Sequence, residues 1–188
     1  MEAFLVSTGV VALGEMGDKT QLLALVLAAR FRKPWPIVAG ILAATLINHG
    51  MAGAAGAWLT EVIGPQMLRW ILAASFIGMA CWIMVPDKID EDEQPKGLRF
   101  GVFSATLVAF FLAEMGDKTQ IATIALAAKY QALGTVVAGT TLGMLIADVP
   151  VVFLGDKLTR RIPIRSIHLV CAAIFMLLGV LALFNVGG

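Results

Sequence analysis

Charge is what this chain lacks. Lysine, arginine, aspartate and glutamate make up 14% of its 188 residues, against roughly 25% in an ordinary soluble domain. No basic run could track a phosphate backbone and the net charge is +1, so nucleic acid is not expected as a partner. Cysteine is scarce too. Cys81 and Cys171 both lie in apolar stretches, which fits neither a disulfide framework nor a zinc site and reads as two buried free thiols. The start, Met1-Glu2-Ala3, has no basic n-region and no cleavage pattern, so the first apolar segment is expected to stay in the mature protein.

What fills the gap is hydrocarbon: 59% of residues are hydrophobic and the mean hydropathy is +0.88. Six apolar segments, near 3–29, 37–59, 67–85, 100–128, 133–155 and 167–186, can each cross the roughly 30 Å core of a bilayer. Arg30 to Pro36, Gly64-Pro65, Pro86 to Arg99, Lys129 and Asp156 to Arg165 separate them. Backbone amides in lipid must bond within their own segment, so the fold class is an all-α integral membrane protein of six transmembrane helices. Basic residues give the orientation. Arg30, Arg32, Lys33, Lys88, Lys96, Arg99, Lys157, Arg160, Arg161 and Arg165 fall on one side, against Arg69 and Lys129 on the other. By the positive-inside rule the ten face the cytoplasm and both termini face outward.

The chain repeats itself. Glu15-Met16-Gly17-Asp18-Lys19-Thr20-Gln21 recurs unchanged as Glu114-Met115-Gly116-Asp117-Lys118-Thr119-Gln120, 99 residues later. At that offset Leu27-Ala28-Ala29 matches Leu126-Ala127-Ala128, Val38-Ala39-Gly40 matches Val137-Ala138-Gly139, and Leu46-Ile47 matches Leu145-Ile146. Residues 1–86 are therefore repeat one, 87–99 an acidic cytoplasmic linker and 100–188 repeat two. Three spans per repeat is odd, so the halves have opposite orientation. This is the inverted-repeat plan of secondary transporters, which hold their substrate where the repeats meet.

Each motif falls near mid-span, where a charged group costs about 2.5–3.5 kcal/mol on insertion scales. Two Glu, two Asp and two Lys impose a nominal penalty on the order of 15–20 kcal/mol before pairing. A continuous helix puts Glu15 and Asp18 on one face, and Glu114 and Asp117 likewise. Gly17 and Gly116 permit either close helix approach or a local break that frees backbone carbonyls. Four acids around one point cannot all stay ionised without a cation. A hard divalent ion suits oxygen ligands: manganese, calcium or magnesium. Thr20, Thr119, Gln21 and Gln120 offer neutral oxygens. Met16 and Met115 are expected to be apolar filler. Lys19 and Lys118, four residues after the glutamates, are expected to form intrahelical ion pairs. The sharper alternative is that they stand in for the departed cation.

Asp148, just before Pro150, and Asn48 are also mid-span and are candidate site residues. Asn48 has the rival role of a helix–helix hydrogen bonder. His49 is expected to pack. Asp87, Asp90, Glu91, Asp92 and Glu93 form a solvated linker.

Two copies of Glu-x-Gly-Asp-Lys-Thr on a six-span chain resemble the Gdt-type cation exporter family. It includes bacterial manganese exporters and the Golgi transmembrane protein of manganese and calcium homeostasis. Both motifs match fully, and the resemblance covers essentially the whole chain. It implies export of Mn²⁺, or Ca²⁺ in some members, in exchange for protons or another cation such as Na⁺. Carried over, Glu15, Asp18, Glu114 and Asp117 are the ion-binding carboxylates, and Lys19, Thr20, Lys118 and Thr119 complete the motifs. Asn48 and Asp148 are not motif positions. The short loops and the lack of a leader look like those of a bacterial member in the cytoplasmic membrane; no cofactor is expected, and a homo-oligomer is one form open to it.

Two other readings compete. Paired membrane aspartates beside glycine occur in intramembrane aspartyl proteases. That chemistry is usually signalled by Gly-x-Gly-Asp, however, and Glu15 and Glu114 occupy the first position here. An exporter of a small basic organic solute, gripped as an ammonium by the carboxylates, is harder to separate on physics alone. The orientation has a direct check. Cysteines placed at the termini should react with impermeant thiol reagents in intact cells, and one at Gln94 only after permeabilisation; the reverse pattern contradicts the topology.

Overall fold

The computed structural model describes residues 1–85, 101–154 and 164–184. The acidic linker 87–99 and the basic residues Lys157, Arg160 and Arg161 lie outside the described residues. The regular elements are α1 (Glu2–Glu15), α2 (Lys19–Phe31), α3 (Pro34–Val62), α4 (Pro65–Trp82), α5 (Val102–Glu114), α6 (Lys118–Tyr130), α7 (Leu133–Leu154) and α8 (Ile164–Leu183). The first and fourth apolar segments are thus not continuous helices. Each breaks at its motif into two half-helices.

Local chemistry sets the boundaries. Gly17 and Gly116 have φ of 84° and 75°, the left-handed region that only glycine enters without steric cost. Pro34 and Pro65 stand in the first turns of α3 and α4, where a missing amide hydrogen is harmless. Arg32 and Gln131, 99 residues apart, end α2 and α6 in left-handed conformation, each returning its amide to the helix at Ala28 and Ala127.

By length and composition, Pro34–Val62, Leu133–Leu154 and Arg165–Leu183 are long and apolar enough to cross a membrane. α5 is apolar but has only 13 residues, about 20 Å at 1.5 Å per residue, short of the hydrocarbon core on its own. Exposed tryptophans mark the two ends of α3, Trp35 at 73% and Trp58 at 60%. Their separation, about 35 Å of helix, matches the spacing of two aromatic belts at the bilayer surfaces.

The break helices are interleaved with the long ones: α1 packs on α7, α5 on α3, and α3 crosses α7. Small residues allow this. A Cβ on Gly40 would lie 2.9 Å from the Phe103 carbonyl oxygen and 2.7 Å from Thr106 Cβ. One on Gly139 would lie 2.7 Å from the Phe4 carbonyl oxygen and 3.0 Å from Ser7 Cβ. All three members of the second contact sit 99 residues from those of the first, so one packing motif is used twice. α4 and α8 pair separately, with Phe76 stacked on Phe175 at 6.3 Å between centroids; these two residues are again 99 apart.

On α3, Gly56 meets the Ile124 carbonyl of α6, and an added Cβ would collide with it, whereas Gly50 of the same helix has nothing within 4 Å. Gly56→Ala should therefore lose about 1–3 kcal/mol to overpacking. Gly50→Ala should be neutral or gain up to ~1 kcal/mol in helix propensity. Thermal unfolding in detergent reads both; equal midpoints would contradict the close α3–α6 approach.

Candidate metal centre

The two breaks place four helix ends at the centre of the molecule. Glu15 closes α1 and Asp18 opens α2; Glu114 closes α5 and Asp117 opens α6. Asp18 and Asp117 sit where backbone partial charges suit them, at helix N-termini of positive potential, whereas Glu15 and Glu114 stand at C-terminal ends, where the dipole opposes a negative charge. Asp18 accepts the Lys19 amide at 2.8 Å, a helix cap. Gln21 and Gln120 reach back to the glycine amides, Gln21 Oε1 accepting from Gly17 N and Gln120 Oε1 from Gly116 N, both at 2.9 Å. The pattern is a variant of the capping box, in which the third helical residue satisfies an amide before the helix. It pins each break.

Glu15, Glu114 and Asp117 each bring one carboxylate oxygen to within 4.8 Å of the others. Both glutamates are fully buried, and Asp18 and Asp117 are 3% and 5% exposed. Thr20 Oγ1 donates to Glu15 Oε2 at 2.5 Å, and Thr119 Oγ1 to Glu114 Oε2 at 2.9 Å. The other oxygens, Glu15 Oε1, Glu114 Oε1 and Asp117 Oδ2, are buried without a hydrogen bond among the described residues. Two carboxylate charges at this spacing repel by roughly 3–4 kcal/mol at an effective dielectric of about 20. Buried acceptors of this kind call for a proton or a cation.

Asp148 lies on α7, the helix that packs against α1 and α2. It is fully buried on α7, and neither oxygen has a hydrogen-bond partner among the described residues. Asn48 is different. Its Nδ2 donates to the Phe111 carbonyl at 3.0 Å, one turn before Glu114, so it braces α5 as a helix–helix hydrogen bonder while Oδ1 stays buried without a partner among the described residues.

Several expectations need correcting. A continuous helix does not align Glu15 with Asp18; the chain breaks between them, and carboxylates meet across the two motifs. The lysines do not stand four helical residues from the glutamates, because no helix connects them. Lys19 Nζ instead lies 3.5 Å from Asp117 Oδ1 of the other motif, and Lys118 Nζ donates to the Val85 carbonyl at 3.3 Å. Gln21 and Gln120 spend their amide oxygens on the glycines, and Gln21 Nε2 donates to the Ala147 carbonyl at 2.9 Å; neither glutamine oxygen points to the acids. Met115 is 55% exposed rather than packed inside as filler. His49 is fully buried and packed, with neither ring nitrogen hydrogen-bonded among the described residues.

One contact escaped the sequence reading. His168 Nε2, on α8, donates to the Met16 carbonyl at 2.8 Å, gripping the first break. Its position in an apolar segment is the signal that could have drawn attention to it.

A buried set of acids held by broken, interleaved helices is the kind of arrangement an ion carrier requires. The family model described as "Divalent cation/proton antiporter GDT1" matches residues 3–91 and 102–187, and the chain belongs to this family. It is therefore a membrane transporter and not an enzyme. It is 48% identical over 185 residues to a Vibrio cholerae protein named "Putative manganese exporter", covering 98% of this chain and 92% of that one. It is 31% identical over 202 residues to a "GDT1-like protein" of Synechocystis, covering 97% of each chain. A "GDT1-like protein 5" of Arabidopsis thaliana is 26% identical over 222 residues, covering 98% of this chain and 96% of that one. No solved structure matches.

The breaks can be tested without any cargo. A Cβ on Gly116 would meet nothing within 4 Å, so Gly116→Ala should cost only the left-handed backbone strain, about 1–2 kcal/mol. An unchanged unfolding midpoint would contradict the broken-helix geometry.

Proposed function

We propose that this chain exports Mn²⁺ from the cytoplasm of a bacterium in exchange for protons, with Ca²⁺ as the second cargo. Glu15, Asp18, Glu114, Asp117 and Asp148 form the shared site. The observation that carries this reading is the convergence of Glu15, Glu114 and Asp117 from both motifs within 4.8 Å, with buried oxygens left over. Hard oxygen donors without cysteine or histidine favour manganese, calcium and magnesium over softer metals. The printed name of the Vibrio cholerae relative favours manganese among them.

The same carboxylates serve both ions. A metal ion arriving from the cytoplasm displaces the protons that neutralise the acids; protons arriving from outside displace the metal. Each ion excludes the other, which is the minimal condition for exchange. Thr20 and Thr119 orient the glutamates, Gln21 and Gln120 hold the breaks, and Lys19 neutralises Asp117. In this reading α1–α2 and α5–α6 each make one broken span, giving six spans in two inverted repeats, 1–86 and 100–188, joined by the linker 87–99. Both termini are extracytoplasmic. Discontinuous helices meeting at mid-membrane are where inverted-repeat transporters hold their ions, and the doubled contacts of Gly40 and Gly139 support the repeat.

Outer partners of metal ligands are already worth about 10–100-fold in affinity. Glu15→Gln, Glu114→Gln or Asp117→Asn should therefore lower Mn²⁺ transport by at least ~100-fold while the protein remains in the membrane. If these variants all still confer manganese tolerance, the site is wrong. In sealed, sodium-free vesicles an imposed Mn²⁺ gradient should drive protons the opposite way. Manganese flux that neither responds to a pH gradient nor creates one rules out proton coupling and leaves sodium.

A further inference from the structure

The two motifs are identical in sequence, yet the helices that follow them have different surroundings. In α6, Ala125 and Ala128 are 4% and 1% exposed. Their counterparts 99 residues earlier in α2, Val26 and Ala29, are both exposed, Val26 at 41%. Leu13 of α1 is partly buried against the core, whereas its counterpart Leu112 of α5 is 60% exposed. The cause is the α4–α8 pair. α4 packs on α6 and α8 on α1, and these four helices share one apolar cluster. A second cluster joins α2, α3, α5 and α7, with Val11 of α1, and contains no residue of α4 or α8.

We infer that α4 and α8 move as one body between two positions related by exchange of the repeats, and that this structure holds the position in which α1 and α6 are covered. The inference rests on the inverted-repeat reading above. Bundles of this kind alternate by near-rigid motion of one part against another around a fixed site. Phe76 and Phe175, equivalent residues, stack on each other at 6.3 Å, so the pair is its own exchange partner and can move without being taken apart. On the reading above, α1 and α6 form the outer halves of the broken spans and α2 and α5 the cytoplasmic halves. The present position therefore packs the pair on the outer halves and leaves the cytoplasmic halves without that cover, while the acids between them stay buried.

Exchange of the repeats specifies the contacts of the other position. A Cβ on Gly14 would now lie 3.2 Å from Ile83 Cδ1 and 3.9 Å from Cys171 Sγ. Shifting every residue by 99 puts Ala182 and Leu72 against Ala113. α4 and α8 then stand about eleven residues further along, roughly 16 Å of helix axis. His168 now grips the Met16 carbonyl at 2.8 Å. Its counterpart on α4 is Arg69, whose guanidinium lies over the Trp70 ring at 5.5 Å and whose Nε is buried without a hydrogen-bond partner among the described residues. After the move Arg69 meets the Met115 carbonyl in the same way. The two side chains are alternate latches on the two breaks.

Disulfide trapping tests this in full-length protein in proteoliposomes. Gly14→Cys should crosslink to native Cys171 and lock the present position. Leu72→Cys with Ala113→Cys, in a Cys81→Ser, Cys171→Ala background, should crosslink in the other. Each bond should lower Mn²⁺ flux at least tenfold, with recovery on reduction. Spin labels at the exposed positions Met67 on α4 and Leu46 on α3 leave the buried contacts and the Arg69 side chain in place and give an independent reading. They should show two distance populations whose ratio shifts when Mn²⁺ is added. A single population with and without Mn²⁺, or failure of the Leu72–Ala113 pair to form in protein that transports, overturns the proposal. Crosslinks and distances are read without transport. Two positions in a protein that moves no manganese support the motion while refuting the cargo.

Discussion

Acid in hydrocarbon is the constraint from which the rest of this structure follows. Five carboxylates buried among the described residues of a chain that is 59% hydrophobic are tolerable only if each oxygen finds a proton, a cation or a fixed donor. The fold supplies part of this itself. Thr20 and Thr119 take one oxygen of each glutamate, the Lys19 amide takes one from Asp18, and the Lys19 ammonium answers Asp117. Among the described residues, oxygens of Glu15, Glu114, Asp117 and Asp148 keep no such partner, and these are the ones the proposed cargo would answer.

The broken helices serve this arrangement. An unbroken span would present its acids along one face, with the backbone dipoles already cancelled by neighbouring turns. Breaking at Gly17 and Gly116 exposes two helix N-termini beside the aspartates and two C-terminal ends beside the glutamates. The breaks carry a cost in lost helical bonding, and Gln21 and Gln120 offset some of it through the glycine amides. Long unbroken α3 and α7 frame the centre, and glycine contacts let the half-helices approach them closely.

Much of this was legible in the residues. The duplicated motif, the apolar segments and the cost of buried charge pointed to the acids, to a divalent ion and to the family. The helix break was visible only as one of two uses of Gly17 and Gly116, because sequence does not state φ. The lysine partners were misjudged because spacing rules for a helix hold only where the helix is continuous; once the chain turns at glycine, Lys19 meets the other motif. Asn48 gave the rival role, bracing Phe111. The grip of His168 on Met16 joins residues 152 apart in sequence, and nothing local announces such a contact. Nor could identical motifs foretell that α2 and α6 have different surroundings, since that difference comes from where α4 and α8 rest.

The central claim is that protons and a divalent cation compete for one set of carboxylates. The most direct measurement is the number of protons released when Mn²⁺ is titrated into the purified protein in weakly buffered detergent solution. Binding should release protons, saturate at a single equivalent of metal, and vanish together with the proton release in a Glu15→Gln, Glu114→Gln double variant. Manganese binding with no proton release, or release that persists unchanged in the double variant, would contradict the account.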